Sequence, residues 1–170
     1  MALIEITVDD KEAMAYMRGL RASLWPDVLF AAGKTIQKDA LDAFRKTTRT
    51  WWHQPEFEMM VQQTGNELEI VVGTDDRIYG YVDRGTPPHI IRPKKPGYPL
   101  RFQSGYKSKT TPGVIGSKAG GPRGDFVRAM EVHHPGTKPR KFSEAIQDYM
   151  NVKAPERIEK RVNQWLGKRY

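Results

Sequence analysis

The sequence predicts an α+β fold: a long N-terminal helix packed on a mostly antiparallel sheet, with a long basic loop and C-terminal helices. Three observations predict it. A single amphipathic stripe of helical period fills residues 26–46, apolar alternation recurs in short runs on both sides of a turn signal near residue 65, and helical spacing returns at the C-terminal end. Strands grouped between helices, without regular strand–helix alternation, are the pattern of helices laid on an antiparallel sheet.

The elements follow in order. In residues 3–8, Ile4, Ile6 and Val8 share one side, the period of a half-buried strand. Asp9 or Asp10 can cap a following helix, in which Met14, Met17 and Leu20 recur at helical spacing. Pro26 suits a helix start, because its fixed φ fits and its missing N–H has no partner to lose there. Leu29, Ala32, Ile36, Ala40 and Phe44 then line one face, which is read as a core face, with Lys34, Lys38 and Asp42 off it. Residues 57–61 and 68–72 both alternate, and Thr64-Gly65-Asn66 between them marks a hairpin. Residues 79–84 read as one helical turn or a strand end. Residues 90–91, 100–102 and 126–132 read as three further strands.

Residues 103–124 are rich in Gly, Lys, Ser and Pro and exceed the ~12–15 residues that structureless loops usually reach. Such a segment is either disordered or functional, and since it is costly to order alone it is better ordered against a neighbour. Phe142, Ala145, Ile146 and Tyr149 mark a short amphipathic helix. Pro155 is expected to start another, with Ile158, Val162, Trp165 and Leu166 inward and Gly167 ending it. This divides the chain into one domain over residues 1–150, extended loop included, and a C-terminal helical extension over 151–170.

A chain of 170 residues has room for one moderate core. The absence of cysteine excludes disulfides, thiolate metal sites and a cysteine nucleophile. The N-terminus lacks the pattern of a signal peptide, and no apolar run approaches the ~20 residues of a membrane span, so no membrane partner is expected. The net charge is +8, and its distribution is uneven. Arg84, Arg92, Lys94, Lys95, Arg101, Lys107, Lys109, Lys118 and Arg123 fall in one stretch that holds no acidic residue; the remaining Lys and Arg nearly balance the 20 acids. Concentrated positive charge is a footprint for phosphate or for acidic protein, or else a solubilising loop.

Three of the four histidines lie in two related segments, DRGTPPHIIRPKK from Asp83 and VHHPGTKPRKF from Val132. His89, His133 and His134 offer three nitrogens to a metal, but adjacent histidines diverge and no HExxH spacing is present. His89 and His133, beside Arg92 and Lys138, offer an acid–base pair like that of a metal-free ribonuclease. The third reading is structural: the histidines pin the Gly-Thr turns, Gly85 and Gly136 supply the turn φ, and Pro87, Pro88, Pro135 and Pro139 stiffen the chain. No P-loop, GxSxG or dinucleotide fingerprint occurs, and no cofactor is expected.

Two blocks together carry a resemblance. The first is Tyr81-Val82-Asp83-Arg84-Gly85-Thr86, His89-Ile90-Ile91-Arg92-Pro93-Lys94 and Leu100-Arg101-Phe102. The second is Val132-His133-His134-Pro135-Gly136-Thr137-Lys138-Pro139-Arg140-Lys141-Phe142 followed by Ala145. Their order and spacing resemble the tail-component family of long-tailed phages, the minor tail, tail-completion or neck proteins, over roughly residues 79–149. The resemblance implies a non-enzymatic virion protein at the neck, assembled in the host cytoplasm. It implies a ring of six or twelve copies between the head-connector or head-closure protein and the tail terminator or tube, around the genomic DNA. The ring contacts expected from it are Arg84, Gly85, Thr86, His89, Arg92, Lys94, Lys95, Tyr106, Lys107, Lys109, Lys118, Arg123, His134, Pro135, Gly136 and Thr137. Lys107, Lys109 and Lys118 are candidates to face DNA. The competing reading is a basic nucleic-acid-binding or nuclease-like domain, with Arg92, Lys94, Lys95, Lys107 and Lys109 on phosphates.

Overall fold

The alternating apolar runs near the N-terminus and around residue 65 come together in one sheet. The computed structural model describes residues 2–7, 25–64 and 67–167. The expected helix around Met14, Met17 and Leu20, its Asp caps and the turn residues Gly65 and Asn66 lie outside them. Strand β1 (Ala2–Thr7), β2 (Glu58–Thr64) and β3 (Glu67–Thr74) form an antiparallel sheet in the order β1-β3-β2. Ile4 opposes Val72 and Ile6 opposes Ile70 in register, so one face gathers Ile4, Ile6, Leu68, Ile70 and Val72, all buried.

Helix α1 (Trp25–Thr48) packs on β2 and β3 of that face, and Leu29, Ala32, Ile36, Ala40 and Phe44 are buried along it. Helix α3 (Phe142–Leu166) packs on β1 and on α1, and Arg157 of α3 donates to Asp39 of α1 at 2.5 Å. The chain is therefore α+β, with two helices on one side of an antiparallel sheet. α3 corrects the sequence reading: Pro155 does not restart a helix but sits inside one that is continuous from 142 to 166. Proline removes the bond to Asn151, four residues back, and costs about 3 kcal/mol in a helix interior. Both Pro155 and Asn151 are exposed, so water can serve the freed carbonyl, while Met150, Ala154, Ile158 and Val162 stay buried in the same core as α1. The boundary drawn after residue 150 thus falls inside α3.

A short helix, α2 (Arg77–Arg84), follows β3. Its Tyr79 lies at the centre of an aromatic cluster with Phe44, Phe57, Trp51 and Phe142, at ring separations of 5.6–6.0 Å. Burial pushes the Tyr79 phenol far above its ordinary value.

Beyond α2 the chain leaves the body as two ribbons. β4 (His89–Ile91) pairs with β7 (Val132–His134), and β5 (Leu100–Gln103) pairs with β6 (Phe126–Ala129), both antiparallel. The expected single strand over 126–132 is therefore two strands, divided at Met130 and Glu131, each with its own partner. No residue of either ribbon is buried.

Candidate functional site

The two Gly-Thr segments, fifty residues apart in sequence, are bonded to each other. Thr86 and Thr137 exchange backbone hydrogen bonds at 3.0 Å in both directions, and the Thr137 N–H also reaches the Thr86 hydroxyl at 3.0 Å. His89 lies opposite His134 in the β4–β7 pairing. Thr86 and Thr137 share that register, and the prolines between them interrupt the ladder. The glycines are there because backbone occupies the place of a side chain. Gly85 has φ 77°, and a Cβ on it would stand 2.4 Å from the Thr137 carbonyl oxygen. Gly136 has φ 88°, and its Cβ would stand 2.3 Å from the Thr86 oxygen.

The histidines are built into this joint. The His89 and His134 rings stack at 4.9 Å. Nδ1 of His89 lies 2.9 Å from the Pro87 carbonyl, and Nδ1 of His134 accepts from the Gly136 N–H at 3.0 Å. His133 precedes His134 on the same strand, so it points to the opposite face, where it meets Glu131 at 2.9 Å. The proposed acid–base pair of His89 and His133 is thus divided between the two faces of the ribbon, and the three histidines do not converge. Arg92 also bonds Glu131, at 2.7 Å. This guanidinium, with His133 assisting, holds the Glu131 carboxyl below the usual carboxylate range.

The Gly-Thr joint is closed from the body side by Asp83, whose importance the sequence reading missed. Its buried carboxylate accepts from the N–H groups of Phe142 at 2.5 Å and Ser143 at 3.2 Å and from the Ser143 hydroxyl at 2.8 Å. It therefore caps α3 from outside the helix. Its own carbonyl accepts from Arg140 and Lys141.

The long basic loop folds back on this joint. Gly113 donates to the Arg140 carbonyl at 2.8 Å, Lys109 donates to the Thr50 carbonyl at 2.9 Å, Thr50 N–H donates to Ser117 at 3.2 Å, and Ile115 packs against the core. Within one subunit the segment is thus bonded to the joint and to the chain just beyond α1. Lys118 donates to Thr111, and Lys107 is tied through its backbone to Gly121. Of the candidate DNA-facing lysines, two therefore have their ammonium groups engaged inside the chain.

Loop, joint and the end of α1 enclose an open groove of about 660 Å³. Among the contact residues expected from sequence, Tyr106, Lys109, His134, Gly136 and Thr137 line it; Arg84, Gly85, Thr86, His89, Arg92, Lys94, Lys95, Lys107, Lys118, Arg123 and Pro135 do not. Lys95 instead sits over the Tyr98 ring at 4.3 Å on an exposed turn. The other lining residues are Trp51, Trp52, His53, Ile78, Val82, Ser108, Thr110, Lys138 and Arg140. The dipeptide Trp51-Trp52 was the available signal: it lies just beyond the end of α1, where the chain turns. Trp51 packs inward on Tyr79 and Phe142, while Trp52 is 99% exposed. His53 holds the Asp76 carboxylate at 2.5 Å, and Asp76 caps α2 by accepting from Tyr79 N–H at 2.7 Å. Burial works to raise the Asp76 pKa, but the Tyr79 N–H and His53 outweigh it and hold the carboxyl below its ordinary value.

Among the described residues no group of three or more His, Cys, Asp or Glu is placed to hold a metal ion, and no helix is long and apolar enough to cross a membrane. Comparison with protein-family models, curated proteins and solved structures finds no match for the chain.

Proposed function

We propose that the chain is a structural subunit of a phage head–tail junction. In this reading it is a neck or tail-completion protein whose ring joins the head connector to the tail around the DNA channel, without chemistry of its own. One observation carries the proposal. The ribbons β4–β7 and β5–β6 hold no buried residue, yet Ile90, Phe102, Phe126 and Val127 are exposed on them. A two-stranded ribbon is marginal alone in water, and apolar side chains held on one are contact surface. The Gly-Thr joint and the Asp83 cap fix the base of these ribbons rigidly, which suits docking. The ring, its neighbours (head-connector or closure protein, tail terminator or tube, genomic DNA) and a place in the virion neck follow from the sequence resemblance that these features support. The test is electron microscopy of particles carrying a labelled copy. Label at the top of the tail is expected; label elsewhere, or particles complete without the chain, sinks the reading.

A second reading, single-stranded nucleic-acid binding, is favoured by the groove. Exposed Trp52 and Tyr106 offer stacking faces beside Lys109, Lys138 and Arg140. It requires affinity of the isolated chain for single-stranded DNA that falls steeply with salt and is lost in Trp52→Ala.

A further inference from the structure

Charge along the chain is segregated between two surfaces. Residues 51–83 hold seven acidic residues and one basic one, and residues 84–123 reverse this with nine basic and none acidic. The first stretch supplies β2 and β3, the second β5 and the loop beyond it.

The sheet has a face that no described element covers, because α1 and α3 both pack on the side of Ile4, Ile70 and Val72. Strand alternation puts Leu3, Met60 and Val71 on the other side. Leu3 and Met60 are 40% and 45% exposed. Glu58, Glu67 and Glu69 share that face by the same alternation, and none of them is ion-paired among the described residues. It is an apolar patch rimmed by free carboxylates, next to the open edge of β2.

The β5–β6 ribbon presents the counterpart. Arg101 and Arg128 are directly opposed in register, an arrangement of like charges that is destabilising by itself. Among the described residues neither meets a carboxylate. Phe126 shares their face, is 61% exposed, and lies under the Arg101 guanidinium at 4.6 Å. This is an aromatic anchor flanked by two free cations.

We infer that the Arg101–Arg128–Phe126 face of one copy docks on the Leu3–Met60–Val71 face of the next, with the two guanidiniums against Glu58, Glu67 and Glu69. The inference rests on the ring reading above and supplies its contact. The two patches are different and lie on different parts of the subunit, so the contact is heterologous and repeats head to tail, as ring closure requires. Phe126 meets Met60 and Val71, and opposite charge fixes the register.

The test is a charge swap followed by sedimentation at low salt. Arg101→Glu with Arg128→Glu, and separately Glu58→Lys with Glu69→Lys, are each expected to weaken self-association at least about tenfold while leaving the thermal midpoint near that of the wild type. All four positions are solvent-facing, and circular dichroism checks that both variants fold. Mixed in equal amounts, the two variants are expected to associate again, since every acidic ribbon then meets a basic sheet. Wild-type association that either variant retains, a mixture that stays monomeric, or a wild-type chain that does not associate at all overturns the contact. A label found away from the neck overturns the parent reading instead, so the two failures are distinguishable.

Discussion

The carboxylate of Asp83 caps a helix that begins 59 residues further along the chain, accepting from the Phe142 N–H at 2.5 Å. Local capping is unavailable at that helix start, because Lys141 occupies the N-cap position with φ 55° and its side chain makes no capping hydrogen bond. Asp83 thereby clamps the point where the ribbons leave the body to the point where they return. Between the clamp and the ribbons sits the Thr86–Thr137 bridge, so the two sequence blocks form the two halves of one joint.

Asp83→Ala removes a buried acceptor from two N–H groups and a hydroxyl. Loss of the cap, with donors left buried and unpaired, is expected to cost about 2–3 kcal/mol. Asp83→Asn keeps one acceptor oxygen and is expected to lose less. Urea unfolding of the three proteins checks the order; equal midpoints would show that the cap does not hold the joint.

The glycines of the joint separate crowding from backbone strain. Gly85→Ala and Gly136→Ala each drive a methyl group into a facing carbonyl, at 2.4 and 2.3 Å. Each is expected to cost about 3 kcal/mol or more. Gly97 also has positive φ, 81°, but a Cβ there meets nothing within 4 Å. Gly97→Ala is expected to cost only the left-handed penalty, about 1–2 kcal/mol. Thermal midpoints of the three variants test this ordering.

What the sequence makes legible is what local periodicity encodes. Alternation in Leu68, Ile70 and Val72 and helical spacing from Leu29 to Phe44 each specify an element whose buried face is the apolar one. The α+β class follows from those two periods. The ribbon boundaries were not legible, because Phe126 to Val132 contains no Gly or Pro to break it and only the partner strands divide it at Met130 and Glu131. Pro155 misleads for a related reason: its local penalty is real, but Ala154, Ile158 and Val162 anchor the helix through it. The Gly-Thr blocks were readable as rigid turns, but their mutual pairing is a long-range contact that no spacing within either block encodes. The same holds for Asp83 as a cap and for the groove, whose walls come from four separate parts of the chain.

Acid should loosen the start of α2. Asp76 has a folded-state pKa below its unfolded value of about 3.9, so its contribution to stability is present above that value. That contribution is lost as pH falls through the lowered folded-state value. Asp76→Ala is expected to cost about 1 kcal/mol at neutral pH, as cap loss does. The gap between wild type and variant should narrow as the pH falls below the ordinary carboxylate range and through the lowered folded-state value. Urea midpoints measured from neutral to acid pH decide it; a gap that stays constant through the acid range would mean that the carboxylate charge is not what stabilises the cap.

Trp52 distinguishes a surface made for contact from one that serves the fold. Its side chain is 99% exposed, whereas its neighbour Trp51 packs against Tyr79 and Phe142. Trp51→Ala is therefore expected to lose about 2 kcal/mol, because the half-buried ring gives up its packing on Tyr79 and Phe142. Trp52→Ala is expected to stay within about 0.5 kcal/mol of the wild type, as surface substitutions do. An exposed tryptophan beside Lys109, Lys138 and Arg140 contributes when something covers it, and desolvated aromatic anchors dominate such contacts. Particles or complexes built with Trp52→Ala should then be impaired although the subunit is as stable as before. Normal assembly and normal nucleic-acid affinity in Trp52→Ala would remove the groove from both functional readings and leave the ribbons as the working surface.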